Sequence, residues 1–179
     1  MPQTSNGVSK DTAVVQKPAL GLFEFIALMA TMTSLVALSI DSMLPALNQI
    51  GIALNVAQAH ETHLIVTVFF VGMAFGQMFF GPFSDSRGRR LTILVGLCIF
   101  ALGTFVCMIA TNLETMLIGR IIQAFGVSGP RIASMAIIRD LYVGDAMARV
   151  MSFIMMVFIL VPMLAPIIGQ AVMNLFSWF

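Results

Sequence analysis

Residues 81 to 91 read Gly81-Pro82-Phe83-Ser84-Asp85-Ser86-Arg87-Gly88-Arg89-Arg90-Leu91, a charged turn set between two apolar runs. Leu64 to Phe83 ahead of it and Leu91 to Ala110 behind it carry no charged side chain. Each has the length of about 20 residues that a helix needs to cross a hydrocarbon core of about 30 Å. The stretch between them therefore belongs at a membrane surface. Gly81-Pro82 is expected to end the first of the two helices, because proline offers no amide donor, and Gly88 supplies a residue tolerant of positive φ for the reversal. Asp85 is expected to cap the amides that open the next helix. Arg87, Arg89 and Arg90 crowd positive charge into the turn, the pattern that keeps a loop on the cytoplasmic side. An ordinary positive-inside loop would account for the arginines, but not for Gly81, Asp85, Gly88 and paired Arg89-Arg90 at these offsets.

Composition points the same way. The chain has 179 residues, 59% hydrophobic and 9% charged, with a mean hydropathy of +1.00, which excludes a soluble globule or a disordered chain. The 9 basic and 8 acidic residues nearly balance, so no basic surface for nucleic acid is implied. Cys98 and Cys107 lie on opposite faces of one predicted helix, too far apart to bridge, and read as packing residues.

Residues 1–19 are polar and aperiodic and read as a cytoplasmic tail, with 20–179 as a membrane domain. The apolar run that follows is too long for a signal peptide and lacks a basic start, so it reads as a retained first span, about 23–44. Glu24 sits at its start, where it favours a helix N-terminus. Asp41 lies within the run, where an ionised carboxylate costs several kcal/mol unless paired or protonated. Asn48 to His63 contains no Lys or Arg and is placed outside. His60 and His63 lack a third ligand nearby, so capping before the second span is the plainer reading than metal. In the second span, about 64–83, Gly72 and Gly76 form a GxxxG pair that admits another helix backbone. Gly96 and Gly103 do the same in the third, about 91–110.

The fourth span, about 116–138, has arginines at depth. Arg120, Gln123, Arg131 and Ser134 fall within about 80° of arc and read as one wall of a polar cavity. Arg120 alone could snorkel to the boundary. The fifth span, about 150–172, carries Pro162, Pro166 and Gly169 on one face, and its prolines are expected to bend it. With alternate loops inside, the inner ones hold Lys10 and Lys17, then Arg87, Arg89 and Arg90, then Arg139 and Arg149, and the outer ones hold no Lys or Arg. This places the N-terminus in the cytoplasm.

Gly81, Asp85, Gly88, Arg89 and Arg90, followed by Leu91 and Ile93, resemble the signature between the second and third helices of the major facilitator superfamily. Ser86 stands where that family usually has a basic residue. Gly119, Arg120, Gln123 and Gly126 resemble the fourth-helix signature of its proton-driven members, and Arg139-Asp140-Leu141-Tyr142 matches the exit of that helix in bicyclomycin-resistance (Bcr/CflA) exporters. Pro162, Pro166 and Gly169 resemble the exporters' antiporter motif, with Ala165 and Gln170 as departures. The residues around Asp41 and Pro45 are similar to the group's first-helix signature.

The resemblance implies an all-α membrane protein, the N-terminal helix bundle of a twelve-helix transporter, with five complete transmembrane helices and the sixth missing. It further implies proton-coupled multidrug efflux across a bacterial inner membrane, with a small amphipathic drug or metabolite as substrate. The proton gradient would supply the energy without a cofactor, and a missing C-terminal half or a second copy would complete the pathway. A metabolite carrier of the same superfamily and a non-transporting remnant are the alternatives. No nucleotide loop, metal cluster or activated nucleophile suggests an enzyme. Gly81, Asp85, Gly88, Arg89, Arg90, Arg139 and Asp140 are expected to form a cytoplasmic gate, closed by the charge cluster of Asp85, Arg89 and Arg139-Asp140. Asp41 and Arg120, at matching depths, are expected to be the proton-coupling carboxylate and its switchable partner, with a static ion pair as the alternative.

Overall fold

The computed structural model describes residues 21–41, 43–44, 50–51 and 62–175. The expectations for the N-terminal tail, for His60 and for most of the loop before the second span lie outside them. Five long helices account for almost all of the described residues, and no strand occurs among these. They are α1 (Leu22–Asp41), α2 (Thr62–Arg87), α3 (Arg89–Met108), α4 (Leu113–Leu141) and α5 (Asp145–Leu175). Each is long and apolar enough to cross a membrane.

α2, α4 and α5 outrun the apolar runs that mark them, because a helix satisfies its own backbone and can continue into the interface. Asn112 opens α4 earlier than expected by accepting the Thr115 amide at 2.9 Å, and Asp145 puts a negative charge at the positive end of α5. Within α1 the hydroxyls turn back on their own helix. Thr31, Thr33 and Ser39 donate to the carbonyls of Ala27, Met29 and Leu35 at 2.8, 3.0 and 2.6 Å, which hides polar groups from hydrocarbon.

Three expectations are corrected. Pro82 does not end α2, which continues to Arg87. Proline deletes one intrahelical bond, and the turn beyond it is tied instead by Gly88 N–H to the Ser84 carbonyl at 3.1 Å and by Arg89 to the Ser84 hydroxyl at 2.9 Å. Asp85 does not cap α3. That position is held by Gly88, with φ of 90° and no side-chain cap, because Asp85 is still inside α2 and turns to Arg89. Finally, α1 closes at Asp41 rather than Leu44, followed by a tight turn in which the Met43 amide donates to the Ile40 carbonyl at 3.2 Å. Pro130 lies inside α4, and Pro162 and Pro166 lie inside a continuous α5. Gly169 belongs to the same helix, in a part where only the backbone path is described.

α4 is the centre of the bundle, packed against α3, α2 and α1, while α5 is held chiefly by α1. The α3–α4 and α2–α4 seams are backbone on backbone. A Cβ on Gly76 would stand 2.8 Å from the Phe125 carbonyl, and one on Gly96 would stand 2.8 Å from the Gly126 carbonyl. Gly72 and Gly103 face Ile121 and Gln123 in the same way. Apart from Thr92, the buried residues of α3 are its two glycines, Gly96 and Gly103, on this seam. Phe25, Met29, Ile138, Tyr142, Val150 and Ile154 join α1, α4 and α5 at one end of the bundle. Met43, Ile50, Ile65 and Met116 close the other. Cys107 lies against α4 beneath Gly119, whereas Cys98 is exposed, so packing describes only the first.

Candidate functional site

At the end where α2 reverses into α3, one arginine gathers three helix termini. Arg89 donates through Nη1 to Asp85 Oδ1 at 2.6 Å and to Ser84 Oγ at 2.9 Å, and through Nε to Asp140 Oδ2 at 3.2 Å. The end of α2, the start of α3 and the end of α4 are thereby joined. Ser84 is buried and was not singled out in the sequence, where a serine between Phe83 and Asp85 carries no distinguishing pattern. Arg139 and Gly81 line the adjoining cleft of about 510 Å³. Arg139 and Arg90 are exposed, and among the described residues neither takes part in an ion pair.

The polar residues of α4 divide between two places. Arg120, half-buried near the Asp41 end, donates through Nη1 to the Ser39 carbonyl at 3.3 Å and to Gln123 Oε1 at 3.0 Å, and through Nη2 to Met43 Sδ. Gln123 passes the connection on, its Nε2 donating to Thr104 Oγ1 of α3 at 2.9 Å. Among the described residues no ion pair joins Arg120 to Asp41. The reason lies in where α1 stops. A helix ending at Asp41 leaves its last carbonyls without intrahelical donors and presents the negative end of its dipole, and the guanidinium fills that need. Asp41 itself is the half-buried last residue of α1.

About three turns beyond Arg120 along α4, Arg131 faces the cleft at the Arg89 end, touching Met73 Sδ at 4.0 Å. Ser134 is fully buried and donates back to the Pro130 carbonyl at 2.7 Å. The four residues placed on one stripe therefore have different surroundings. Arg131 borders open space, Arg120 and Gln123 connect helices, and Ser134 bonds within its own helix.

Among the described residues no group of three or more His, Cys, Asp or Glu is arranged to hold a metal. Apolar spans around a central helix, with charge gathered at the helix ends and along α4, define a multi-pass membrane protein. The chain belongs to the Major Facilitator Superfamily, whose family model matches residues 20–179. It is 37% identical over 156 residues to the bicyclomycin resistance protein homolog of Haemophilus influenzae, covering 87% of this chain and 39% of that protein. It is 35% identical over 138 residues to the uncharacterized MFS-type transporter YdgK of Bacillus subtilis, covering 77% and 34%. It is also 32% identical over 139 residues to the multidrug resistance protein MdtL of Salmonella paratyphi C, covering 78% and 35%. The chain thus spans well under half the length of the curated relatives it matches.

Proposed function

We propose that this chain is the N-terminal half of a proton-driven exporter of small amphipathic drugs in a bacterial inner membrane, with its N-terminus in the cytoplasm. The observation that carries the reading is the similarity, over most of the chain, to relatives named for bicyclomycin and multidrug resistance. A substrate path at the interface of two helical repeats would take one wall from α1, α2, α4 and α5 and the other from a C-terminal half or a second copy. Asp41 is the proposed proton carrier, Arg120 its switchable partner, and the proton gradient the source of energy, with no cofactor and no enzymatic step. Arg120 keeps its Nε without a hydrogen-bond partner, so a donor remains for a carboxylate that approaches. Production of the full-length transporter, this half together with its C-terminal half, in an efflux-deficient host is expected to raise the concentrations of bicyclomycin and of amphipathic dyes needed to stop growth. Unchanged susceptibility with well-inserted protein would sink the export reading.

The Arg89 cluster is the proposed cytoplasmic latch, made in one state of the cycle and broken in the other. Its members are 27%, 73% and 57% exposed for Arg89, Asp85 and Asp140, so each pair contributes only about 0–1 kcal/mol to stability. Asp85→Asn is accordingly expected to leave the melting temperature nearly unchanged while reducing export. Export at the unmodified rate would leave the cluster an orienting feature only.

A further inference from the structure

We infer that Arg131 is the centre of an oxyanion subsite, so that ligands of this bundle include amphipathic molecules carrying a carboxylate or phosphate on an apolar body. The inference rests on the export reading for its physiological role, but not for the binding itself.

The charges around the cleft are unevenly matched. Arg89, Arg131 and Arg139 line it together with Asp85 and Asp140, and Arg89 engages both acids. Among the described residues no carboxylate pairs with Arg131, whose described contact is the thioether of Met73 at 4.0 Å, a weak acceptor. Arg131 is also deep. It precedes Arg139 by about 12 Å along α4 at 1.5 Å per residue, so it is not one of the terminal arginines that reach the interface. An arginine held inside a membrane bundle without a counter-charge marks a place where one arrives. Its planar fork matches a two-oxygen anion.

The surroundings identify the remainder of the ligand. On one side Arg131 borders the cleft with Gln77 on its wall. On the other it borders a small hollow lined by Thr33, Ile154, Met155 and Phe158. A cation between a polar cleft and a methionine and phenylalanine wall suits a molecule with an anionic head and a flat apolar body, because methionine adapts to varied shapes. A free carboxylated compound and an anionic lipid headgroup share this chemistry.

The test uses the full chain in phosphatidylcholine nanodiscs, titrated with 2-naphthoate and its neutral isostere 2-naphthamide by equilibrium dialysis. Naphthoate is expected to bind about tenfold more tightly than naphthamide, with Arg131→Gln abolishing the difference and Arg131→Lys keeping part of it. Circular dichroism and gel filtration check the folding of both variants. Equal binding of the two probes by the unmodified chain, or undiminished preference in Arg131→Gln, overturns the inference whatever the variants' stability. Repeating the titration with phosphatidylglycerol in the disc separates the sources. Weakened naphthoate binding by the unmodified chain assigns the subsite to lipid headgroups, and unchanged binding assigns it to soluble anions. Charge-selective binding without drug resistance in cells would sink the export reading alone, and resistance with charge-blind binding would sink this one alone.

Discussion

Gly126→Leu is expected to abolish the assembled bundle. A Cβ at Gly126 would collide with the Phe100 amide nitrogen and stand 2.8 Å from both the Gly96 carbonyl oxygen and the Ile99 carbonyl carbon. These are main-chain atoms of α3, so no side chain can turn aside, and the two helices would have to separate along a seam that buries most of what α3 buries. Overpacking that side chains can relieve costs about 1–3 kcal/mol, and a clash with rigid backbone belongs at or above the upper limit. The expected result in detergent is loss of the monodisperse species or a large fall in melting temperature. Gly81→Ala is the control, since nothing lies within 4 Å of a Cβ there and alanine is the better helix former. Gly126→Leu melting with the unmodified protein would show that the α3–α4 seam is not needed for assembly.

The second large effect is expected at the Asp41 end. In the proposed cycle Asp41 alternates between neutral and charged, while Arg120 alternates between the carbonyl end of α1 and the carboxylate. The structure describes the first of Arg120's positions, on the Ser39 carbonyl. Asp41→Asn should therefore retain drug binding, lose uphill accumulation in proteoliposomes under an imposed pH gradient, and barely alter the melting temperature, because the described structure gives Asp41 no ion pair to lose. Arg120→Leu should behave differently. It strips a donor from Ser39 and from Gln123 Oε1 and is expected to lower stability by about 1–3 kcal/mol for each buried acceptor left unsatisfied, as well as ending transport. Undiminished uphill export by a well-folded Asp41→Asn protein would eliminate the coupling role.

The existence of the five helices was legible from apolar runs, and the reversal at Gly88 from its glycine, because hydrophobic length and positive φ are local properties. The glycine seams were half legible. Gly72, Gly76, Gly96 and Gly103 announced that backbones would come close, but nothing in their spacing named α4 as the common partner. The errors have a shared origin. Pro82 and Asp85 were assigned their average behaviour at helix ends, and the local network of Ser84, Gly88 and Arg89 overrode it. The Ser39 carbonyl as one acceptor for Arg120 is not legible in the sequence either, because that carbonyl becomes free only once α1 stops at Asp41. Depth along a helix can be counted from residues. The direction in which a side chain leaves the helix, and what main chain awaits it, depends on packing among helices distant in sequence.

Gly88 is the whole connection between α2 and α3. Its amide is held by Ser84, and its carbonyl accepts from both the amide and the hydroxyl of Thr92 at 3.3 and 3.0 Å. One residue adds about 3.8 Å of reach between consecutive Cα atoms, so the facing helix ends have no slack. The two helices make few contacts with each other along their lengths, yet both lie on α4. The joint therefore works as a pivot pin rather than a tether. The ends of α2 and α3 must move together, while the helices can tilt about Gly88, at the place where Arg89 joins both to the end of α4.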